Sequence, residues 1–412
     1  MNASRDARHI ERVNSERDGL LYDITTLKES LQDNTVIRHH VQQFEDLCKW
    51  VFSQLDTMFA YGRWKLEKPA FDSLIINLLG GKWMLLRQVA LQRAGNSPYL
   101  KTLERLDKFA EDCYQRLISA MHSCDLTSLS TSSPLAYLGP IARMFMFDEN
   151  APCLISTPFG AAHTGDEVGQ ELCRQTIPHE ATHAVFEQIP GLLDELKSKC
   201  GSQLAKSGAS PRLSCLHPIL LDWLNEIIAD MGGTALAGEP FARSAAVIMI
   251  MPERNVGVTD KRHPIPVVRP YIHAWVLENT HSDKAAGFKT FLEGLTEDYL
   301  DRNYESLPAV VSVTLGEVRD ELIKLVGFIW GTELETLNGH SIGEVFSAAV
   351  RPKTTKAKVV DGARSLPAWG SPQTSEKEFI FKLVKKSGPG SPLPSSPLYN
   401  EWICDVFKVL CE

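Results

Sequence analysis

Apolar residues recur every three to four positions over four long stretches in the first third of the chain, the period of amphipathic helices. The pattern predicts helices at His9–Lys28, which is charged and heptad-like, at the amphipathic Arg38–Ala60, at Ala70–Arg93 and at Leu100–His122. The third is strongly apolar and reads as interrupted at Gly80-Gly81. The fourth follows the breaker Asn96-Ser97-Pro98. Residues 1–125 thus read as a helical bundle, and the Ser/Thr-rich Ser123–Pro134 as a linker. Ala151–Pro158 is a short apolar run bounded by prolines and reads as a strand. Helical periodicity returns at Tyr271–Glu278, Lys284–Leu300 and Val313–Ile329. After residue 350 the character changes: Lys353–Pro372 and Ser387–Pro397 are rich in Pro, Ser, Gly and Lys and read as connectors or lids. Between and after them lie a predicted strand, Lys377–Val384, and a short amphipathic helix, Leu398–Leu410. The expected fold is α+β and mainly helical, in three parts: a helical domain at 1–125, a central domain at 135–350 and a Pro/Ser-rich extension at 351–412.

One short segment adds chemistry to this pattern. His179-Glu180-Ala181-Thr182-His183 spells HExxH. On a helix the two imidazoles lie one turn apart on one face, about 6 Å along the axis, and can grip one metal ion. Glu180 points to the side, where a general base acting on water belongs. Between Thr176 and Phe186 the only charge-bearing candidates are Glu180 and these histidines, so a largely apolar helix carries them. Burying two histidines and a carboxylate is costly unless they share a partner, and a divalent metal is the simplest one. Pro178 directly precedes His179 and is expected to kink or restart the helix.

A catalytic zinc takes three protein ligands and leaves a fourth position open. Glycine and histidine do not stand at Phe186 and Ile189, so HExxHxxGxxH fails. Glu187 lies about 9 Å along the axis from a metal placed between the histidines, too far to bind it, and His217 reads as a loop or helix-entry residue. Glu226 is the remaining candidate, in Leu221–Gly233. Pro218 and Gly232-Gly233 mark that segment out as one helix. Glu226 and Asp230 fall at the margin of its apolar stripe, alongside Ile219 and Trp223. Four residues apart, one can bind metal while the other accepts the outer N–H of a ligating histidine.

Together, HEATH at 179–183 and NEIIAD at 225–230 resemble the HExxH and ExxxD/ExxAD signatures of the gluzincins, the thermolysin-like zinc metallopeptidases. The likeness covers roughly residues 150–280, with a longer interval between motifs than in thermolysin itself, closer to HExxH…ExxAD peptidases that include membrane-bound proteases. It implies a zincin-like domain with a small sheet and an active-site helix, Zn2+ held by His179, His183 and Glu226, Glu180 as general base, and Asp230 behind His179. It also implies a sheet edge strand that takes extended substrate, placed here along Leu154–Thr157. Asp260-Lys261-Arg262-His263-Pro264 and Arg269 resemble the HP…R element that follows ExxAD, so His263 or Arg269 is expected to stabilise the oxyanion. Tyr271 and His273 are further candidates for that role.

Composition bounds the rest. With 412 residues, 43% hydrophobic and 23% charged, the chain has the make-up of a globular protein with a sizeable core. A net charge of −8 argues against a nucleic-acid partner; the clearest basic patch is Lys382–Lys386. The polar start Met1–Asp6 lacks a signal core, and the longest apolar runs, Leu74–Leu79 and Ala245–Met251, are too short to span a bilayer. Nine cysteines without a CxxC pair suggest reduced thiols. The expectation is a cytoplasmic zinc metallopeptidase that hydrolyses a peptide or protein through a metal-activated water. The alternatives are a regulatory protease specific for one partner protein and a non-catalytic, metal-stabilised binding protein.

Overall fold

The computed structural model describes residues 2–31, 35–58, 68–93, 99–126, 129, 133–139, 143–146, 153–158, 167–206, 210–250, 263–302 and 313–350. The strand and helix predicted at 377–384 and 398–410, the connectors around them and the basic patch lie outside these residues. The protein is mainly helical with a small sheet, as the periodicity implied. Its residues group into two compact units, Met1–Gln115 with Ser128–Gln188, and Arg116–Thr127 with Ile189–Glu412. Among the described residues no helix is long and apolar enough to cross a membrane.

The first unit holds helices α1 (Asn2–Ser30), α2 (Thr35–Met58), α3 (Lys68–Leu91) and α5 (Glu167–Phe186), most of α4 (Leu100–His122), and strands β1 (Leu135–Gly139), β2 (Arg143–Met146) and β3 (Cys153–Pro158). Its core runs from the helices into the sheet, joining Val13, Ile24, Phe44, Trp83 and Leu86 to Leu135, Tyr137 and Leu154. Phe44 stacks on Trp83 at 6.0 Å between ring centroids, and the Trp83 indole N–H donates to Asp23 at 2.7 Å. Helix α3 runs straight through Gly80-Gly81, against expectation. Two mid-helix glycines cost about 1 kcal/mol each, and burial of Ile76, Leu79, Trp83 and Leu86 on one face outweighs that.

The sheet order is β1-β3-β2, with β1 parallel and β2 antiparallel to β3. Leu154–Thr157 therefore lie on the central strand, with both backbone edges paired, and cannot accept a substrate strand. Residues 154–157 are buried in succession rather than alternately, the signature of a strand covered on both faces. The outer edge of β1 is closed by side chains. Ala136 donates its N–H to Asp107 at 2.9 Å and accepts from Arg93, while Leu138 exchanges two bonds with the Gln92 amide, at 2.9 and 2.7 Å. These bonds tie the sheet to α3 and α4, which places β1–β3 and α5 in one unit with the N-terminal helices.

The second unit contains α6 (Leu192–Lys206), α7 (Pro211–Ser214), α8 (His217–Asp222), α9 (Leu224–Ile250), α10 (Pro270–Thr280), α11 (Ser282–Thr296), α12 (Leu315–Gly331) and α13 (Ile342–Val350), with a two-stranded ribbon of β4 (Glu333–Leu334) and β5 (His340–Ser341). Thr314 and Glu317 form a reciprocal capping box at the start of α12. The single helix expected from Pro218 to Gly232-Gly233 is instead two, separated at Trp223, and the second does not stop at the glycine pair. Gly233 is needed for close packing, since a Cβ there would sit 2.4 Å from the Phe241 ring. The break comes at Gly238, whose φ of 66° and ψ of −150° suit glycine. Two carbonyls freed near the break find donors: Leu236 accepts from Arg116 at 2.8 Å and Ala235 from His281 at 3.3 Å.

Candidate metal centre

Helix α5 brings the HExxH side chains together. One helix runs through Pro178 without restarting; proline's fixed φ suits the helix, at the cost of its own N–H bond and of crowding the carbonyl one turn earlier. Thr182 donates its hydroxyl back to the Pro178 carbonyl at 2.8 Å. Ala181, Thr182, Ala184 and Val185 are wholly buried, while Glu180 and His183 keep 9% and 7% of their surface, so the chemistry-bearing groups emerge from an apolar helix at its margin. The Nε2 atoms of His179 and His183 are 3.2 Å apart, with the rings edge to face at 84°. Two nitrogens about 2.0–2.1 Å from one tetrahedral ion stand about 3.3–3.4 Å apart. The separation therefore suits a shared ion as well as it suits an N–H···N hydrogen bond.

Glu226 and Asp230 sit on successive turns of α9, both clasped by Arg269, the residue that opens α10. The Arg269 Nε donates to Asp230 Oδ2 at 2.5 Å, and its Nη2 donates to Asp230 Oδ1 and Glu226 Oε2, each at 2.9 Å. His263 Nε2 stands 3.6 Å from Glu226 Oε1. Side-chain exposure falls from 34% at His263 through 15% at Glu226 and 11% at Arg269 to 1% at Asp230, so the array leads from the surface into the interior. Burying two carboxylates is tolerable here because a bidentate guanidinium meets both.

The ligand atoms of His179, His183 and Glu226 all lie within 4.8 Å of one another, a group that could hold a metal ion. Two imidazoles and one carboxylate are the donors that zinc and related ions take, with a fourth position left open. Glu226 already accepts from Arg269, the kind of outer support that orients a ligating carboxylate. The residues present therefore fit a metal ion.

Of the other candidates, Arg269 and His263 are placed at the Glu226 carboxylate, and Arg269 commits three bonds to acids. The Tyr271 hydroxyl pairs with Thr296 at 2.7 Å. His273 is wholly buried, its Nδ1 2.8 Å from the Thr234 hydroxyl. Glu187 is exposed beyond the end of α5, and His217 opens α8 as the helix-entry residue it resembled. Thr234 was missed in the sequence, although its spacing of four from Asp230 and eight from Glu226 puts it on their face of the helix. The plug formed by Gln92, Arg93 and Asp107 left no sequence signal, because it depends on pairing with a strand more than 25 residues away. No protein-family model, curated protein or solved structure matches this chain.

Proposed function

We propose that this chain is a metal-dependent peptidase, with zinc as the ion and Glu180 as general base. The observation that carries this reading is the gathering of His179, His183 and Glu226 within 4.8 Å, with Glu180 one residue after a ligand on the same buried helix. When bound, a zinc ion would act as a Lewis acid and lower the pKa of water in the open fourth position. The protein's own groups do the rest. The Glu180 carboxylate accepts the proton of the attacking water and returns it to the amine nitrogen as the peptide bond breaks. Arg269 fixes Glu226, and His263, 3.6 Å from Glu226 and not held by the two acids as Arg269 is, is the donor we assign to the developing oxyanion.

With both edges of β3 paired and the edge of β1 plugged, β2 is, among the described residues, the edge of the three-stranded sheet left for an extended peptide. Helix α5 packs on β2 and β3, so a strand added there runs along the side of the sheet nearest the HExxH helix. Main-chain pairing would hold a peptide with little regard for its side chains. The nine cysteines and the absence of a spanning helix among the described residues fit a cytoplasmic enzyme.

Elemental analysis of protein purified without added metal tests the centre: near-stoichiometric zinc in wild type and its loss in Glu226→Ala are expected. Glu180→Gln should keep its zinc and lose peptide hydrolysis by several orders of magnitude. Full activity in that variant would remove Glu180 from the mechanism. Stoichiometric metal with no hydrolysis of any peptide or protein by wild type would favour the metal-stabilised binding protein.

A further inference from the structure

Glu226 is one end of a polar ladder that continues into the interior between α9 and α10. Glu226, Asp230 and Thr234 follow one another at intervals of four on α9, and Arg269 and His273 are spaced by four on α10. The rungs match: Arg269 bridges Glu226 and Asp230, and one turn later His273 Nδ1 meets the Thr234 hydroxyl at 2.8 Å. Thr234 also lies 2.8 Å from the Asp230 carbonyl and donates there, which makes it the acceptor of a proton on His273 Nδ1. The surroundings of this rung are apolar. Ile272, Ala274, Val276 and Leu277 of α10 and Ile227, Ala229, Met231 and Ala235 of α9 are buried. Thr234 and His273 are each fully buried, and Phe241, folded back by the break at Gly238, closes over the imidazole edge-on at 5.3 Å and 89°.

Apolar packing alone sets no axial register between two helices, because it is non-directional. A slip of one turn would carry Arg269 about 5.4 Å along α9, off Glu226 in one direction and off Asp230 in the other. A single buried polar pair within an apolar seam is the device that forbids such slips. We infer that His273 and Thr234 are positioning residues for the metal centre: their bond locks α10 against α9 and thereby holds Arg269, and through it the Glu226 carboxylate, in place. This inference rests on the reading of His179, His183 and Glu226 as a metal site.

The test is zinc affinity, measured by competition with a chromophoric chelator on the full chain, beside the melting temperature of the metal-free protein. Thr234→Val with His273→Leu, an apolar pair of similar volume, should melt within a few degrees of wild type yet bind zinc at least about ten-fold more weakly. His273→Asn, which can set a donor near the position of Nδ1, should stay within about three-fold of wild type, as should Thr234→Ser. Thr234→Val alone, nearly isosteric, keeps the experiment decisive if the double variant fails to fold: it too should weaken zinc binding while Thr234→Ser does not. Wild-type affinity in the double variant, or equal affinity in Thr234→Val and Thr234→Ser, overturns the register lock alone. Failure of wild type to take up zinc overturns the metal centre, and the lock with it.

Discussion

Replacing Arg269 by Met removes a guanidinium that serves two acids at once, and the consequence follows from how deeply those acids lie. Asp230 keeps 1% of its side-chain surface and receives two of the three Arg269 bonds, at 2.5 and 2.9 Å; Glu226, at 15%, receives the third. Without Arg269 an ionised Asp230 would stand in the interior without its main counter-charge, a situation that costs about 3–5 kcal/mol. For a unit of this size each kcal/mol lowers the melting temperature by roughly 2–4 °C, so the metal-free variant should melt roughly 6–20 °C below wild type. Arg269→Lys should fall between the two, since one ammonium cannot reproduce the fork that reaches both acids. Asp230→Leu combined with Arg269→Met should recover much of the loss, because the buried charge leaves with its partner. Calorimetry or circular dichroism in chelator-treated buffer measures all four proteins. If Arg269→Met lay within about 1 kcal/mol of wild type, the reading of Arg269 as the partner of a desolvated carboxylate would be wrong. Saturating zinc should raise the melting point of wild type more than that of the variant, because ligand stabilisation scales with affinity and Glu226 has lost its anchor.

Other outcomes follow from single features. The Glu195 carboxyl is raised by burial but more than offset by the Thr336 N–H and hydroxyl, the Glu335 N–H and Lys199, which hold it at about 2 against an ordinary 4.5. Its contribution is therefore present above pH 4.5 and lost as pH falls towards 2, on the order of 2–3 kcal/mol in all. Glu195→Gln should flatten that part of the pH-stability curve, and an unchanged curve would show that the carboxylate is not held as described. Gly80→Ala and Gly81→Ala meet nothing within 4 Å and should each stabilise by about 0.5–1 kcal/mol, whereas Gly233→Ala drives a methyl into the Phe241 ring and should destabilise by about 1–3 kcal/mol, all read from denaturant midpoints. A proline scanned through Met144 and Phe145 removes one outward N–H from β2 at whichever of the two faces away from β3; at that position KM for an extended peptide should rise with zinc content intact, and unchanged kinetics at both positions would exclude β2 as the substrate edge.

The sequence by itself determined most of the helices and the spacing of the candidate ligands. Three-to-four periodicity placed α4 at Leu100–His122 and α2, α3, α10, α11 and α12 within a few residues of their ends, because a helix satisfies its backbone locally and shows its buried face in its own pattern, but it began α1 at His9, ended α9 at Gly232-Gly233 and did not find α6. HExxH and the acids at 226 and 230 were legible for the same reason: i and i+4 are neighbours on any helix. Tertiary structure decided what depends on partners distant in the chain. Ala151–Pro158 reads as a strand, but its central place rests on pairing with Leu135–Gly139 and Arg143–Met146, and register between strands is not written in either one alone. Gly232-Gly233 and Gly80-Gly81 look alike as helix breakers. One pair includes the glycine that admits Phe241 and the other faces open space, and both lie inside helices because packing outweighs a propensity of about 1 kcal/mol. Arg269 was picked out by its motif, yet its grip on Glu226 and Asp230 appeared only when α10 was set against α9, since a salt bridge depends on distance in space and not along the chain.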